Sequence, residues 1–220
     1  MRVVVSLGGS VIVPKELDIK FLRKFSELIK RRKRDKFCIV CGGGHIARIF
    51  TKEFKKLGLS ENEAHVLGIF ATHLNASLIK FMLGEEATLY LGDPRKAKWK
   101  SRIIVSGGYL PGWNTDVCAA YSAKALKADL LVNISNVKGI YDKDPRKYKK
   151  AKLIKEMTWR EFMEKFSDVK MRPGTNFIWH PLAALICSKS KTRVVFIGKN
   201  IKNFEKLLSS KKFVGTVIHP

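Results

Sequence analysis

The sequence predicts an α/β protein, a three-layer α/β/α sandwich around a mainly parallel open sheet. Three observations lead there. Short runs rich in Val, Ile and Leu alternate with longer amphipathic segments along nearly all of the 220 residues. The runs are continuously apolar instead of alternating, the pattern of strands covered on both faces. Glycine clusters follow three of them directly, at the carboxyl ends where such sheets bind ligands.

Strands are expected at 2–7, 36–41, 87–91, 102–106, 129–135, 193–198 and 213–218. The first helix is read in "DIKFLRKFSELIKRR", where Leu22, Phe25 and Leu28/Ile29 form one stripe and Asp18 can cap the start. A second lies near 45–57. A long helix covers about 62–83, with Val66, Phe70, Leu74 and Leu78 four apart. Further helices fit near 115–127, 158–166, 181–190 and 202–210. Right-handed crossovers between such elements build the sandwich. No internal repeat or low-complexity linker interrupts it, and residues 142–156 form the longest candidate loop. Residues 1–220 read as a single domain whose two lobes meet near 125–128.

Composition narrows the function. The chain carries 43 Lys+Arg against 19 Asp+Glu, a net charge of +24, which suits anionic partners. Its basic clusters, "KRRKRDK", "RKYKKAK" and "KSKTR", lack the interleaved aromatics of a base-stacking platform. No nucleic-acid-binding signature appears, so the basic runs read as solvated helix ends and loops rather than a nucleic-acid surface, and a nucleotide ligand alone does not require so much charge. No apolar run reaches the roughly 18 residues of a membrane span, and a cytoplasmic protein with no membrane partner is expected. Cys38 and Cys41 form C-x-x-C. On a strand they point to opposite faces, which argues against redox or zinc chemistry.

Four motifs carry the functional reading. Gly8-Gly9-Ser10 follows the first strand, where a turn of backbone N–H groups can cradle phosphate oxygens. "GGGHIAR", residues 42–48, opens a helix whose N-terminus favours anions, with Arg48 one turn in. It also matches the dinucleotide pattern G-x-G-x-x-A, but the acidic residues at the required distance, Glu61 and Glu63, fall at a helix start. "GGYLPGWNTD", residues 107–116, ends in Asn114, Thr115 and Asp116, an amide, a hydroxyl and a carboxylate at a helix start. Helix capping accounts for one of the three. "ISNVKGIYDKDP", residues 134–145, reads as a purine pocket, with Tyr141 beside the base and Asp144 near the ribose or a cation. Glycine-rich turns on one sheet suit two phosphorylated ligands and phosphoryl transfer, which needs positioning and charge neutralisation.

"LGGSVIVP", "CGGGHIAR", "LGIFATHLNASLI", "PGWNTDVCAA", "KADLLVNISNVKGIYDKDP", "HPLAALI" and "GTVIHP", in this order, resemble the amino acid kinase family, and within it the archaeal-type uridylate kinases. The resemblance implies an acceptor lobe over about 1–127, an ATP-binding lobe over about 128–220, and a homohexamer. It implies transfer of the γ-phosphoryl of ATP to UMP, with Mg²⁺ arriving on ATP and no metal site built from the protein alone. Carried over by motif, Gly9, Ser10, Gly44, Arg48, Ser135, Asn136, Tyr141 and Asp144 would bind ATP. Gly43, His65, Tyr109, Leu110, Pro111, Gly112, Trp113, Asn114 and Thr115 would bind UMP. Arg48 and Asp116 would be catalytic, Asp116 matching an aspartate that organises the cations.

The chain departs from the family at Ser6, where many members carry a lysine, at His65, where these enzymes have aspartate, and at Asn114, where they have threonine. Arg48, Lys170 and Arg172 are the candidates for the charge that Ser6 does not supply. Other readings of the same motifs are a kinase for another acceptor, such as isopentenyl phosphate, and a non-catalytic nucleotide or oxyanion binder of the same fold.

Overall fold

The computed structural model describes residues 1–145, 147–166 and 179–219. Among the described residues eight strands form one sheet, in the order β3-β4-β2-β1-β5-β7-β8-β6. These are β1 (Arg2–Leu7), β2 (Lys36–Cys41), β3 (Ala87–Leu89), β4 (Ile103–Ser106), β5 (Leu130–Ser135), β6 (Glu156–Thr158), β7 (Val194–Gly198) and β8 (Thr216–His219). All neighbours pair in parallel except β7 and β8. The helices are α1 (Gly9–Ile12), α2 (Ile19–Arg31), α3 (Gly44–Lys52), α4 (Glu61–Leu83), α5 (Thr115–Ala125), α6 (Trp159–Phe166), α7 (Pro181–Lys189) and α8 (Ile201–Leu208).

The strand pleat divides the core. Val3, Val5 and Leu7 of β1 join one cluster with side chains from α2, α4 and α8. Val4 joins the other, built with α5, α6 and α7. Helices thus cover both faces, which is why the strands lack alternation. Cys41 belongs to the first cluster and Cys38 to the second. Burial pushes the Cys38 thiol up to about 12, so the C-x-x-C pair is core packing.

Helix starts follow side-chain chemistry. Asp18 accepts from Phe21 N at 3.1 Å. Ser60 and Glu63 form a reciprocal capping box for α4. Glu63 is thus in a cap and Glu61 in the same first turn, so neither stands at a strand end as the dinucleotide reading required. His180 Nδ1 accepts from Leu182 N at 3.2 Å to start α7, whose first residue is Pro181. By length and composition α4 is apolar enough to cross a membrane. The sequence reading passed over it because polar residues interrupt the run. Here one stripe of it, including Ala71, Asn75, Ala76, Ile79 and Leu83, is buried on the sheet.

Several boundaries differ from the sequence reading. The residues after β1 form the short helix α1 rather than an open turn, since Val11 and Ile12 bury a helical face. The segment expected as one helix over 45–57 divides into α3 and a 3-10 turn, Phe54–Leu57, that ends at Gly58 in the left-handed region. β6 carries only three residues at the sheet edge, too short for an apolar run to reveal it. The last strand begins at Thr216, not 213.

Two glycine turns meet backbone to backbone. A Cβ built on Gly9 would lie 2.0 Å from Gly44 N and 2.7 Å from Gly42 C. Gly44 itself has φ +64, and its Cβ would sit 2.4 Å from Gly9 O. Gly42 N donates to Leu7 O and His45 N donates to Val13 O, each at 2.9 Å. The ends of β1 and β2 therefore form one unit. Gly9→Ala is expected to cost about 3 kcal/mol of unfolding free energy, the upper end for overpacking, because backbone cannot yield as a side chain does. Gly58→Ala, at φ +70 with open space around it, should cost only about 1 kcal/mol. Urea unfolding of the two variants checks this, and equal losses would contradict it.

Candidate active site

Between the carboxyl ends of β1 and β5 lies a cavity of about 860 Å³. The chain leaves β1 toward β2 on one side while β5 flanks it on the other, a switch point where open parallel sheets form crevices. Gly8 and Ser10 come to it from β1 and α1, Thr115 and Asp116 from the start of α5, and Asn133, Ser135 and Asn136 from the end of β5. Tyr141, Lys143 and Asp144 line it from the loop beyond, and Phe162, Met163 and Phe166 of α6 form an apolar wall with Trp179 and Phe196.

Backbone ties hold the polar end in shape. Gly8 N donates to Ile134 O at 3.0 Å, and Asn136 Nδ2 donates to Ser10 O at 3.2 Å. Gly9 and Ser10 open α1, while the N–H groups of Val11 and Ile12 behind them both donate to Gly8 O, at 2.8 and 3.3 Å. On the other side of the cavity, buried Thr216 accepts from Ile140 N at 2.8 Å and donates to Ile154 O. It anchors the stretch that leads into Tyr141, which is half-buried and bridges to Leu153.

Asp116 is the unusual group. Ser6 Oγ donates to its Oδ1 at 3.1 Å, Asn133 Nδ2 to the same atom at 3.3 Å, and Asn114 Nδ2 to Oδ2 at 3.2 Å. Among the described residues no cation pairs with it. Burial dominates and raises its pKa to about 6, with the Ser6 and Asn114 hydrogen bonds opposing. Ser6 is 2% exposed. Ser6 is therefore a buried donor to Asp116.

A second surface meets α3 and α4. Asn75 Nδ2, buried, donates to Gly42 O at 2.7 Å. Thr72 Oγ1 accepts from Gly108 N at 2.7 Å, and His73 Nε2 pairs with Gly108 O at 2.8 Å. Gly107 has no room for a side chain, since its Cβ would meet Thr72 Oγ1 at 2.6 Å. Gly107 and Gly108 of "GGYLPGWNTD" thus serve close packing on α4, whereas Gly112 has open space around it and φ +80. Trp113 stacks on Tyr121 at 4.9 Å while the Arg95 guanidinium lies 5.6 Å over its ring.

The amino acid kinase family model matches residues 1–198. This chain belongs to the amino acid kinase family. It is 33% identical over 225 residues to the uridylate kinase of Thermococcus kodakarensis, with 100% of both chains covered. It is 36% identical to the uridylate kinase of Pyrococcus abyssi, again over 100% of both. Its structure superposes on the uridylate kinase of Archaeoglobus fulgidus with a TM-score of 0.86 at 33% identity, covering 99% of this chain and 100% of that one.

In this member of the amino acid kinase family, the cavity gathers Ser10, Ser135, Asn136, Tyr141, Asp144, Thr115 and Asp116 of the residues marked from the sequence. Gly9 and Gly44 stand behind Gly8, in the contact between the two turns. Gly43 caps α3, with Arg48 one turn on. Arg48 is exposed and its Nη2 donates to Pro14 O at 3.2 Å. His65 is exposed on the second turn of α4. Tyr109, Leu110, Pro111, Gly112 and Trp113 form the loop before α5, and Asn114 is its N-cap. Lys170 and Arg172 lie outside the described residues. Sequence reasoning missed Asn133, which sits within an apolar run, and Lys143, a lining cation hidden in a charged loop. It also missed the α6 wall, whose spacing is that of any amphipathic helix.

The raised pKa of Asp116 has a consequence for stability. The unfolded value is near 3.8 and the folded value about 6. The destabilisation is absent below the unfolded pKa, grows as pH rises to the folded one, and is complete above it. Asp116→Asn is expected to stabilise the protein by about 1–3 kcal/mol at pH 8 and by little at pH 4. Denaturation at the two pH values checks this; a loss of stability at pH 8 would contradict it.

Proposed function

We propose that the chain is a UMP kinase, transferring the γ-phosphoryl of ATP to UMP to give UDP and ADP. The observation that carries this reading is the crevice between β1 and β5, polar at its glycine end and aromatic at the other, in a chain akin to uridylate kinases over its full length. ATP would lie along it, phosphates toward Gly8, Gly9, Ser10 and Gly44, ribose near Asp144, and base beside Tyr141. Ser135 and Asn136 complete that site. UMP would lie on the α4 side, with Gly43 and Thr115 near its phosphate and His65 and the loop from Tyr109 to Asn114 near the nucleoside.

Asp116 stands at the start of α5, where the two sites would meet. A phosphate oxygen of UMP attacks the γ-phosphorus, and the bond from that phosphorus to the β–γ bridging oxygen breaks. A nucleoside monophosphate has its second pKa near 6, so the attacking oxygen is ionised near neutral pH and no protein base is needed. Asp116 is ionised above about pH 6. One carboxylate facing nucleotide phosphates is a donor set that suits Mg²⁺, which keeps most of its other ligands as water and phosphate oxygen. Bound with ATP, Mg²⁺ would neutralise charge on the β and γ phosphates. Arg48 and Lys143 are the protein cations proposed to assist, Arg48 from the glycine turn and Lys143 from the cavity wall.

A homohexamer in the cytoplasm is part of the proposal. Phe70, Leu74 and Phe81 are 60%, 59% and 74% exposed and share one stripe of α4, beside exposed Ile49 and Phe50 of α3. A stripe of that kind favours self-association. Light scattering should give a multiple of the 25.0 kDa chain, falling to a smaller species in the Phe70→Arg, Leu74→Arg double variant. An unchanged mass would remove this stripe from the interface.

Coupled ADP release tests the activity. With ATP and Mg²⁺, UMP is expected to turn over at least tenfold better by kcat/KM than CMP, AMP or isopentenyl phosphate. Turnover led by another acceptor would overturn the UMP assignment, and none with any would overturn the kinase itself.

A further inference from the structure

Trp179 is the one residue, among those described, with a buried side-chain nitrogen or oxygen that lacks a hydrogen-bond partner. Its indole lines the crevice and is 3% exposed, packed edge-on against Phe196 with centroids 4.9 Å apart. Two other tryptophans satisfy the same group: Trp159 Nε1 donates to Thr192 O and Trp99 Nε1 to Leu126 O, each at 3.1 Å. Tryptophan is placed in cores where its N–H can reach an acceptor, and leaving a buried donor unmade is unfavourable. A phenylalanine would fill an aromatic wall here without that penalty. The indole lines the cavity with Phe162, Met163 and Phe166 and belongs with them to one apolar cluster.

We propose that Trp179 is a specificity-determining residue of the donor site, its indole N–H donating to a ring nitrogen of the donor nucleotide's purine. The inference rests on reading the crevice as the ATP site. An apolar wall accepts the purine faces. Adenine offers acceptors only at its ring nitrogens, its exocyclic group being a donor. One N–H from the wall therefore fixes the base in a single orientation, as a few polar groups do in apolar pockets generally.

The test is ATP against its 1-deaza, 3-deaza and 7-deaza analogues, each with one ring nitrogen replaced by C–H. In the wild type, one analogue is expected to show a KM at least fivefold above that of ATP. Trp179→Phe should raise the KM for ATP to a similar degree and show no further loss with that analogue. Its kcat and its KM for UMP should stay within twofold, which a general packing defect would not allow. The proposal is overturned if the wild type takes all three analogues as well as ATP, or if the loss persists undiminished in Trp179→Phe. Should that variant not fold, the Trp179 indole N–H of wild-type protein, labelled with ¹⁵N at that site, is followed by hydrogen exchange. Its exchange should slow with ATP and not with the discriminating analogue; equal slowing overturns the proposal. A wild type without ATP-dependent transfer to any acceptor would fail the donor-site reading itself, and this assignment with it.

Discussion

The contact between Gly9 and the Gly42–Gly44 turn is the constraint on which the rest of the molecule depends. Two strand ends can approach this closely only where neither carries a side chain. Their union sets the start of α1 and of α3 together, so the crevice on the β5 side and the surface on the α4 side share one wall. For a reaction whose catalysis is mainly placement of two phosphorylated partners, that shared wall is the main service a protein can perform. Asn75 holds Gly42 from α4, and Asn136 holds Ser10 from β5. Each of the two joined turns is thereby tied to a different part of the molecule, one to α4 and the other to the residue after β5.

Asp116 shows the complementary principle. Three neutral donors hold it, and burial penalises its charge. A lysine at position 6 would relieve that penalty, whereas Ser6 relieves only part of it. The carboxylate is therefore held ready for a charge that comes with the ligand. Stability given up at such a place is the usual sign of a functional site.

Much of this was legible in the sequence, for identifiable reasons. β1, β2, β5 and β7 are buried on both faces, so their composition announces them. Asp18 and Asn114 act as caps through local contacts, which local sequence encodes. What escaped depends on distant partners. Nothing near Ser6 in the chain says that its hydroxyl meets Asp116 across 110 residues. Gly107 and Gly108 make room for Thr72, a packing demand from another helix that the loop sequence does not announce. β6 exists because β8 offers it an edge, with no pattern of its own. The aromatic wall was invisible because Phe162 and Phe166 have the spacing of an ordinary buried helix face.

Hydrogen exchange with a non-hydrolysable ATP analogue and Mg²⁺ tests the central claim, that the donor nucleotide occupies the crevice between β1 and β5. The account predicts slowed exchange at residues 8–12 and 134–141 with the analogue alone, and at 107–115 only once UMP is added. Protection at 107–115 by the analogue alone, with 8–12 and 134–141 unchanged, would contradict it.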